Sequence, residues 1–277
     1  MTYLEFQFNI EPFKPWSEIL TAYLSEIEFQ GFFEQEGVLK AFIPEELFNE
    51  SEFQSILENL RENDLKIEYL KQIIPKQNWN ASWESNFNPV EINKELRLIA
   101  PFHDKNDTFR LTLIIQPKMS FGTGHHQTTH MMCEAILKLN LKDKKVLDMG
   151  AGTGVLSILC EKLGSTDILA IDIEEWSVEN CIENAETNNC SNISSICGDV
   201  DLIIGKKFDY IFANINKNIL KSHMITYFES LSKNGFLYLS GFFNTDIDEL
   251  KLLAESVGLL LISTRLKDEW AMLVLQK

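Results

Sequence analysis

The stretch Val146-Leu147-Asp148-Met149-Gly150-Ala151-Gly152-Thr153-Gly154 decides the fold that this sequence predicts. It begins with apolar residues typical of a buried strand, continues with three alternate glycines, and leads into a helical pattern from Val155 to Leu163. Glycines let the backbone approach a ligand closely because they have no Cβ. A helix that starts here directs free N–H groups toward the same place. In an open parallel sheet, the loop lies at the carboxyl ends of the strands, where ligands bind.

The spacing of the glycines narrows the class of ligand. A dinucleotide fingerprint reads G-x-G-x-x-G, whereas this loop reads D-x-G-x-G-x-G and has Val155 where the third fingerprint glycine belongs. No Gly-Lys-Ser/Thr follows, which excludes a Walker loop. Residues 168–171 predict a second buried strand that ends in Asp172, an acid placed to accept hydrogen bonds from ribose hydroxyls. We therefore expect a ligand with an adenosine-type ribose and no diphosphate; a tight glycine turn without a ligand is the alternative.

Composition and charge limit the classes of partner. The chain has 277 residues, 45% of them apolar, which is ordinary for a globular protein with a sizeable core. A net charge of −16 disfavours direct binding to nucleic acid and is compatible with a basic protein partner. The five cysteines form no C-x-x-C pair, and the N-terminus does not resemble a signal peptide. No apolar run reaches the roughly 20 residues of a membrane helix. These features predict a reduced, cytoplasmic protein that does not bind membranes.

The first 75 residues predict a small separate domain. Apolar periodicity gives the order β-α-β-β-α-β, which is typical of a ferredoxin-like domain. In this interpretation Pro44 opens the second helix, which runs to about Leu60. The alternative is that this region is the N-terminal part of one larger domain. Residues 76–89, with tryptophans four positions apart, predict a linker helix, and residues 90–277 form the larger domain.

A histidine-containing segment precedes an amphipathic helix predicted at about 128–139. It reads Phe-Gly-Thr-Gly-His-His-Gln-Thr-Thr at 121–129. His126 and His130 are four residues apart, as two metal ligands on one helical face would be. However, His126 is predicted to precede the helix, and no acid or cysteine completes the set at ligand spacing. We therefore predict no metal site.

Two further polar residues follow predicted strands at the same sheet edge. Asp199 comes after the third strand, at 194–197, where it would either contact an adenine amino group or cap a turn. Asn214 comes after the fourth strand, at 207–213, where it would either contact the ligand or cap the next helix. The chain closes with a strand, a helix and a hairpin, whose bounds are predicted at 235–240, 245–257, and 259–266 with 270–275.

These motifs together resemble the ribosomal protein L11 methyltransferase family of class I S-adenosylmethionine-dependent methyltransferases. The matching stretches are 121–129, Asp-Met-Gly-Ala-Gly-Thr-Gly at 148–154, Asp172, Ala-Asn-Ile at 213–215, and Glu269-Trp270. The resemblance implies an α/β, Rossmann-like, mostly parallel sheet with an antiparallel last strand. It also implies that the ferredoxin-like N-terminal domain, residues 1–75, recognises the substrate. Gln127 departs from the proline of many members, which should change the stiffness of the loop.

The resemblance implies that Thr129, Gly150, Asp172 and Asn214 contact S-adenosylmethionine. Asp148 and Gly152 of the glycine loop, and Asp199, are the other predicted cofactor-binding residues. It further implies methylation of lysine side chains and an N-terminal amine on a large-subunit ribosomal protein. Two alternatives stay open: a methyltransferase of the same fold acting on another protein or a small amine, and a non-catalytic S-adenosylmethionine-binding protein. The sequence does not indicate the oligomeric state.

Asn214 is the predicted catalytic residue. Methyl transfer from a sulfonium is an in-line displacement, so the enzyme mainly positions the reactants. An amide oxygen accepts an N–H of the acceptor amine and turns its lone pair toward the methyl group. The amine must be neutral, and a dry pocket lowers the pKa of lysine from about 10.4. His125, His126 and His130 are candidate proton acceptors by pKa alone.

Overall fold

The chain divides into two compact units, Met1–Asn86 and Phe87–Lys277. The computed structural model describes residues 2–35, 37–61, 65–74, 86–104 and 108–277. Most of the predicted linker helix at 76–89 falls on residues 75–85, which lie outside the described residues. Among the residues described, no helix is long and apolar enough to cross a membrane.

The first unit is a four-stranded antiparallel sheet with two helices. Its sheet order is β2-β3-β1-β4, which confirms the predicted β-α-β-β-α-β arrangement. The elements are β1 (Tyr3–Glu11), α1 (Trp16–Glu26), β2 (Gln30–Gln35), β3 (Val38–Pro44), α2 (Glu50–Arg61) and β4 (Lys66–Ile74).

Aromatic packing holds this unit together. Alternate residues of β1, including Phe6 and Phe8, point to the buried side of the sheet, as the period of a strand requires. Phe53 of α2 is fully buried and packs 4.8 Å from the ring centroid of Phe6. Tyr69 of β4 meets Phe53 edge-on, with 5.2 Å between the ring centroids. Such tilted ring pairs add to the stabilisation that comes from buried apolar area.

The prediction that Pro44 opens the second helix is wrong. Pro44 ends β3, a short 3₁₀ turn follows at Glu45–Leu47, and α2 begins only at Glu50. Asn49 accounts for this boundary, because its side-chain oxygen accepts hydrogen bonds from the N–H groups of Ser51 (3.0 Å) and Glu52 (3.4 Å). An asparagine at this position satisfies donors that a helix start otherwise leaves unpaired.

The second unit contains a small three-stranded sheet and a seven-stranded sheet. In the large sheet the strand order is β10-β9-β8-β11-β12-β14-β13, and β14 runs in the direction opposite to the other six strands. This topology confirms the predicted fold class. The elements are β5 (Val90–Glu91), β6 (Leu96–Ile99), β7 (Leu111–Ile114), α3 (Gln127–Ile136), β8 (Lys145–Met149), α4 (Val155–Lys162), β9 (Asp167–Asp172), α5 (Glu175–Thr187), β10 (Ile193–Cys197), β11 (Phe208–Asn214), α6 (Lys217–Ser230), β12 (Leu231–Phe243), α7 (Ile247–Ser256), β13 (Leu260–Lys267) and β14 (Trp270–Gln276).

Helices cover both faces of the large sheet. Apolar side chains of α3, α4 and α5 form one core, and those of α6 and α7 form the other. The strand order reverses between β9 and β11, on either side of β8. The connections that leave β8 and β11 therefore diverge and open a crevice at the carboxyl edge of the sheet, where such folds bind their ligands.

Candidate cofactor and acceptor site

The glycine loop between β8 and α4 has a left-handed backbone conformation that other residues adopt unfavourably. Gly150, Gly152 and Gly154 have φ angles of +74°, +54° and +77°. A Cβ on Gly152 would lie 2.2 Å from the backbone oxygen of Phe121, and one on Gly150 would lie 2.1 Å from the Ile215 side chain. The loop thus needs glycine for its conformation and for the space it leaves.

Asp172 at the end of β9 is held by this loop. Its Oδ2 accepts a hydrogen bond from the N–H of Gly152 (2.8 Å), and its Oδ1 accepts one from the N–H of Glu174 (3.1 Å). An ionised carboxylate has about four acceptor positions. The two backbone bonds therefore fix the orientation of Asp172 and leave acceptor capacity for the hydroxyls of a ligand.

A cavity of about 410 Å³ opens at this edge of the sheet. Five of the predicted cofactor-binding residues line it, namely Gly150, Gly152, Asp172, Asp199 and Asn214. Apolar side chains, including Ile173 and Trp176, contribute to its walls. Its size and mixed lining are those of a small-molecule site.

Asp148 and Thr129, also predicted to bind the cofactor, lie behind this surface. Asp148 is 1% exposed, and its Oδ2 accepts hydrogen bonds from the N–H (3.1 Å) and hydroxyl (2.7 Å) of Ser157. Burial raises the pKa of Asp148 to about 6. Thr129 is fully buried, and its hydroxyl oxygen accepts from the amide of Asn214 at 3.4 Å. The structure thus shows Asp148 supporting the start of α4 and Thr129 supporting Asn214.

The alternative interpretation of Asn214 as a helix cap is wrong. The cap of α6 is Asn216, whose side-chain oxygen accepts from the N–H of Asn218 at 2.9 Å. Asn214 lines the cavity with its amide nitrogen on Thr129, while its buried Oδ1 has no hydrogen-bond partner within the described part of the chain. Leaving a buried acceptor unpaired costs about 1–3 kcal/mol. The residue that borders the cavity therefore carries an acceptor whose hydrogen bond the described residues do not supply.

Asp199 caps a turn, which is one of the two alternatives that the sequence left open, and its contact with an adenine amino group stays a prediction. Its Oδ1 accepts a hydrogen bond from the N–H of Val200 at 2.7 Å, which caps the 3₁₀ turn Val200–Ile203. The residue also lines the cavity. Capping the turn therefore does not remove Asp199 from the ligand surface.

A second cavity of about 300 Å³ adjoins the first. It shares Phe121, Asn214, Ile215 and Asn216 with the larger cavity, and His126, Thr128, Gly241 and Trp270 complete its lining. The ring of Trp270 lies 4.5 Å from that of His126 and 4.4 Å from that of Phe243. Sequence reasoning did not find this cavity, because Trp270 begins the last strand and meets the histidine segment only in the folded sheet.

The three candidate proton acceptors differ in position. His126 lines the smaller cavity, whereas His125 and His130 line neither of the two. His126 caps α3, because its Nδ1 accepts from the N–H of Thr128 at 3.3 Å, and burial lowers its pKa. A neutral imidazole that accepts at Nδ1 carries its proton at Nε2 and cannot accept another there. Within the described residues, no group of three or more acidic, cysteine or histidine side chains could hold a metal ion.

Comparison with known proteins identifies the family. The sequence model of the family described as ribosomal protein L11 methyltransferase (PrmA) matches residues 20–277. The ribosomal protein L11 methyltransferase of Porphyromonas gingivalis is 42% identical over 258 residues, covering 92% of this chain and 89% of the relative. That of Phocaeicola vulgatus is 37% identical, covering 98% of each chain.

A solved structure agrees with the sequence relatives. The crystal structure of a ribosomal protein L11 methylase from Lactobacillus delbrueckii subsp. bulgaricus superimposes with a TM-score of 0.64 at 25% identity, covering 68% of this chain and 98% of that one. The match to the family model spans most of the chain and includes the glycine loop, Asp172 and Asn214. The chain therefore belongs to the ribosomal protein L11 methyltransferase family of S-adenosylmethionine-dependent enzymes.

Proposed function

We propose that this enzyme transfers methyl groups from S-adenosylmethionine to lysine side chains and the N-terminal amine of ribosomal protein L11, and that Asn214 aligns the acceptor. The relatives are named for this substrate. The observation that carries the role of Asn214 is its position: it lies in the wall of both cavities, and its buried oxygen has no partner among the residues that the structure describes.

The larger cavity suits the cofactor. Bound S-adenosylmethionine supplies an electrophilic methyl group on a sulfonium. Gly150 and Gly152 allow the backbone to lie against the ligand. A Cβ at either position would clash with the protein, with Ile215 at Gly150 and with Phe121 at Gly152. Asp172, oriented by two backbone N–H groups, is the proposed acceptor for the ribose hydroxyls.

The smaller cavity suits the acceptor amine. In this arrangement the Asn214 amide nitrogen is anchored on Thr129, so its oxygen is the atom that remains to accept an N–H of the amine. An acceptor held there has its lone pair directed toward the larger cavity, which is the alignment that an in-line displacement needs.

The walls of the smaller cavity favour a neutral amine. Phe121, His126 and Trp270 present rings, and the lowered pKa of His126 keeps that ring uncharged at neutral pH. Such walls exclude water, so an enclosed ammonium loses hydration that the rings offset only in part through their attraction for cations. Because His126 accepts at Nδ1, the acceptor amine loses its proton to solvent before it is enclosed, not to this histidine.

The first unit is the proposed substrate-recognition domain. Residues 1–86 contain 16 acidic and 6 basic side chains, a formal charge of −10 out of the −16 of the chain. A concentrated negative charge accelerates association with a basic partner and disfavours acidic ones.

We likewise propose that the reaction takes place in the cytoplasm, because its proposed substrate is a ribosomal protein.

Asn214→Ala tests the catalytic role. We expect kcat to fall by about 100-fold, on the scale of a misplaced reactant, while the affinity for S-adenosylmethionine changes by less than about tenfold. Asn218→Ala is the matched control, because Asn218 is an exposed residue of α6 that lines neither cavity; it should change stability by less than about 0.5 kcal/mol and retain most of kcat. Equal losses of kcat in both variants would contradict the proposal.

The substrate is tested by mass spectrometry of ribosomal proteins from cells with and without this chain. Protein L11 should lose methyl groups when the gene is absent and regain them with the wild-type chain, but not with Asn214→Ala. If L11 is unchanged and another protein or a small amine loses its methylation, the substrate assignment fails while the reaction class stands. If nothing loses methylation and partners still bind, a non-catalytic role is favoured.

A further inference from the structure

A buried polar pair that methyl transfer does not use lies behind Asp199. His223 and Tyr227 are one turn apart on α6, so their side chains share one face of the helix. Tyr227 is completely buried, and His223 is 7% exposed and lines the larger cavity. The Nδ1 of His223 lies 3.2 Å from the Tyr227 hydroxyl, and its Nε2 lies 3.4 Å from Oδ1 of Asp199. The three side chains thus form a row from the core to the cavity.

The chemistry of His223 and Tyr227 determines which group donates each hydrogen bond in this row. A buried phenol needs a hydrogen-bond partner, and His223 Nδ1 is the one that the structure provides. Burial lowers the pKa of His223, although Asp199 and Asp201 oppose this, and burial raises the pKa of Tyr227. At neutral pH the phenol therefore donates to Nδ1. The imidazole then carries its own proton on Nε2, facing the carboxylate of Asp199.

The contacts on Asp199 leave one oxygen for a ligand. The N–H of Val200 and the Nε2 of His223 both approach Oδ1. Oδ2 makes neither contact, and the residue lines the cavity. Because the side chain is 58% exposed, packing alone does not fix the carboxylate. A group that restrains Oδ1 therefore determines where Oδ2 points.

We propose that the Tyr227–His223 pair is a positioning device that aims Oδ2 of Asp199 at the 6-amino group of the cofactor's adenine, and so makes the cavity select 6-amino purines over 6-oxo purines. This inference rests on the proposed function, since it takes the larger cavity as the cofactor site. A carboxylate accepts a hydrogen bond from an amino group, whereas it repels a carbonyl oxygen at the same place. A binding site discriminates against an analogue that lacks the expected hydrogen-bonding group. The discrimination is stronger when the protein's own polar group is held in place, because that group is then left unpaired.

The test compares S-adenosylhomocysteine with S-inosylhomocysteine, whose base has a carbonyl in place of the 6-amino group and a proton on the adjacent N1. Isothermal titration calorimetry on the full chain gives both dissociation constants. We expect wild type to prefer the adenosyl ligand by at least about tenfold, and His223→Leu to lose about tenfold of that preference through weaker binding of the adenosyl ligand. His223→Gln, whose side-chain amide can still donate toward Asp199, should restore part of the preference. Tyr227→Phe, which keeps the buried ring, should reduce it less than His223→Leu.

Each outcome discriminates. A merely structural role for His223 would weaken both ligands equally and leave the preference unchanged, which would overturn the proposal. Equal binding of the two ligands by wild type would also overturn it. If wild type bound neither ligand, the proposed function itself would fail. Should His223→Leu not fold, as judged by its thermal unfolding, His223→Gln and Tyr227→Phe carry the same test, and an unchanged preference in Tyr227→Phe would contradict the row of contacts.

Discussion

The two units of this protein keep their residues for different physical reasons. In Met1–Asn86, Phe6, Phe53 and Tyr69 matter because they fill an aromatic core. In Phe87–Lys277, Gly152 and Asp172 matter because one backbone conformation and one carboxylate orientation form the cavity edge. A core accepts other apolar residues of similar volume, whereas a left-handed turn pressed against a neighbouring backbone accepts only glycine. The motifs that resemble the family all fall in the second unit, where particular residue types are needed at particular positions.

Loss of a ring from the first unit should have the largest effect on stability. Phe53→Ala removes the centre of the aromatic cluster and should lower the free energy of unfolding by about 3–5 kcal/mol. Urea unfolding measures this loss. Phe33→Ala is the control, because Phe33 lies on the sheet of the same unit but is 57% exposed, and it should change stability by less than about 0.5 kcal/mol.

The same variant sharpens the comparison between the units. If packing and cofactor binding are separate properties, Phe53→Ala should leave the affinity for S-adenosylmethionine within about twofold at temperatures where the protein is folded. Calorimetric titration of the variant provides the value. A loss of affinity of about tenfold would show that the two units are energetically coupled, so that packing in the first unit and cofactor binding in the second would not be separate properties.

Gly152→Ala should have the next largest effect, and on binding. The new Cβ would lie 2.2 Å from a backbone oxygen of Phe121 and would displace the N–H that holds Asp172. We expect the affinity for S-adenosylmethionine to fall by about 100-fold, or about 2.7 kcal/mol. The matched control is Gly205→Ala: Gly205 has a φ of +81°, and apart from its chain neighbours no described residue has an atom within 4 Å of the Cβ position. It carries only the backbone strain, about 1–2 kcal/mol of stability. An affinity of Gly152→Ala as high as that of Gly205→Ala would contradict the need for glycine at position 152.

Asp148→Asn should have the smallest effect, and it depends on pH. Burial raises the pKa of Asp148 from 3.8 to about 6. Between these pH values Asp148 is therefore protonated in the folded protein and ionised in the unfolded chain. The stability that Asp148 contributes is therefore present below pH 3.8 and lost as the pH rises through 6. The amide introduced by Asp148→Asn would keep an acceptor oxygen for Ser157 and would not ionise.

The expected signature is a difference that changes with pH. Relative to wild type, Asp148→Asn should gain on the order of 2 kcal/mol in unfolding free energy between about pH 4.5 and pH 7, and little more above about pH 7. Urea unfolding at several pH values follows this difference, and taking the difference cancels the other carboxylates. A constant offset at all pH values would mean that Asp148 is ionised in the folded protein throughout.

The order of elements followed from periodicity, and the exceptions have local causes. Apart from the two-residue strand β5, which was not predicted, and the start of the second helix, the described strands and helices lie within a few residues of their predicted bounds, because alternation and helical spacing record which face is buried. The second helix was misplaced because Pro44 is acceptable both at a helix start and at a strand end, and Asn49 decides between them through its hydrogen bonds. Gln127, which differs from many family members, donates to Asp268 at 2.9 Å and ties the start of α3 to the last hairpin. That tie was not predictable, since the partners are 141 residues apart.

By itself, the sequence determined the parallel sheet, the glycine loop and the acid that follows the second strand, because these depend on short-range spacing and on the φ angles that only glycine adopts readily. The tertiary structure alone decided which of two neighbouring asparagines is free. The oxygen of Asn216 is used by the first turn of α6, whereas the buried oxygen of Asn214, a residue that lines both cavities, has no partner among the described residues. Only the folded sheet brings Trp270 to His126 and sets His223 behind Asp199, because side chains far apart in sequence meet where strands and helices pack.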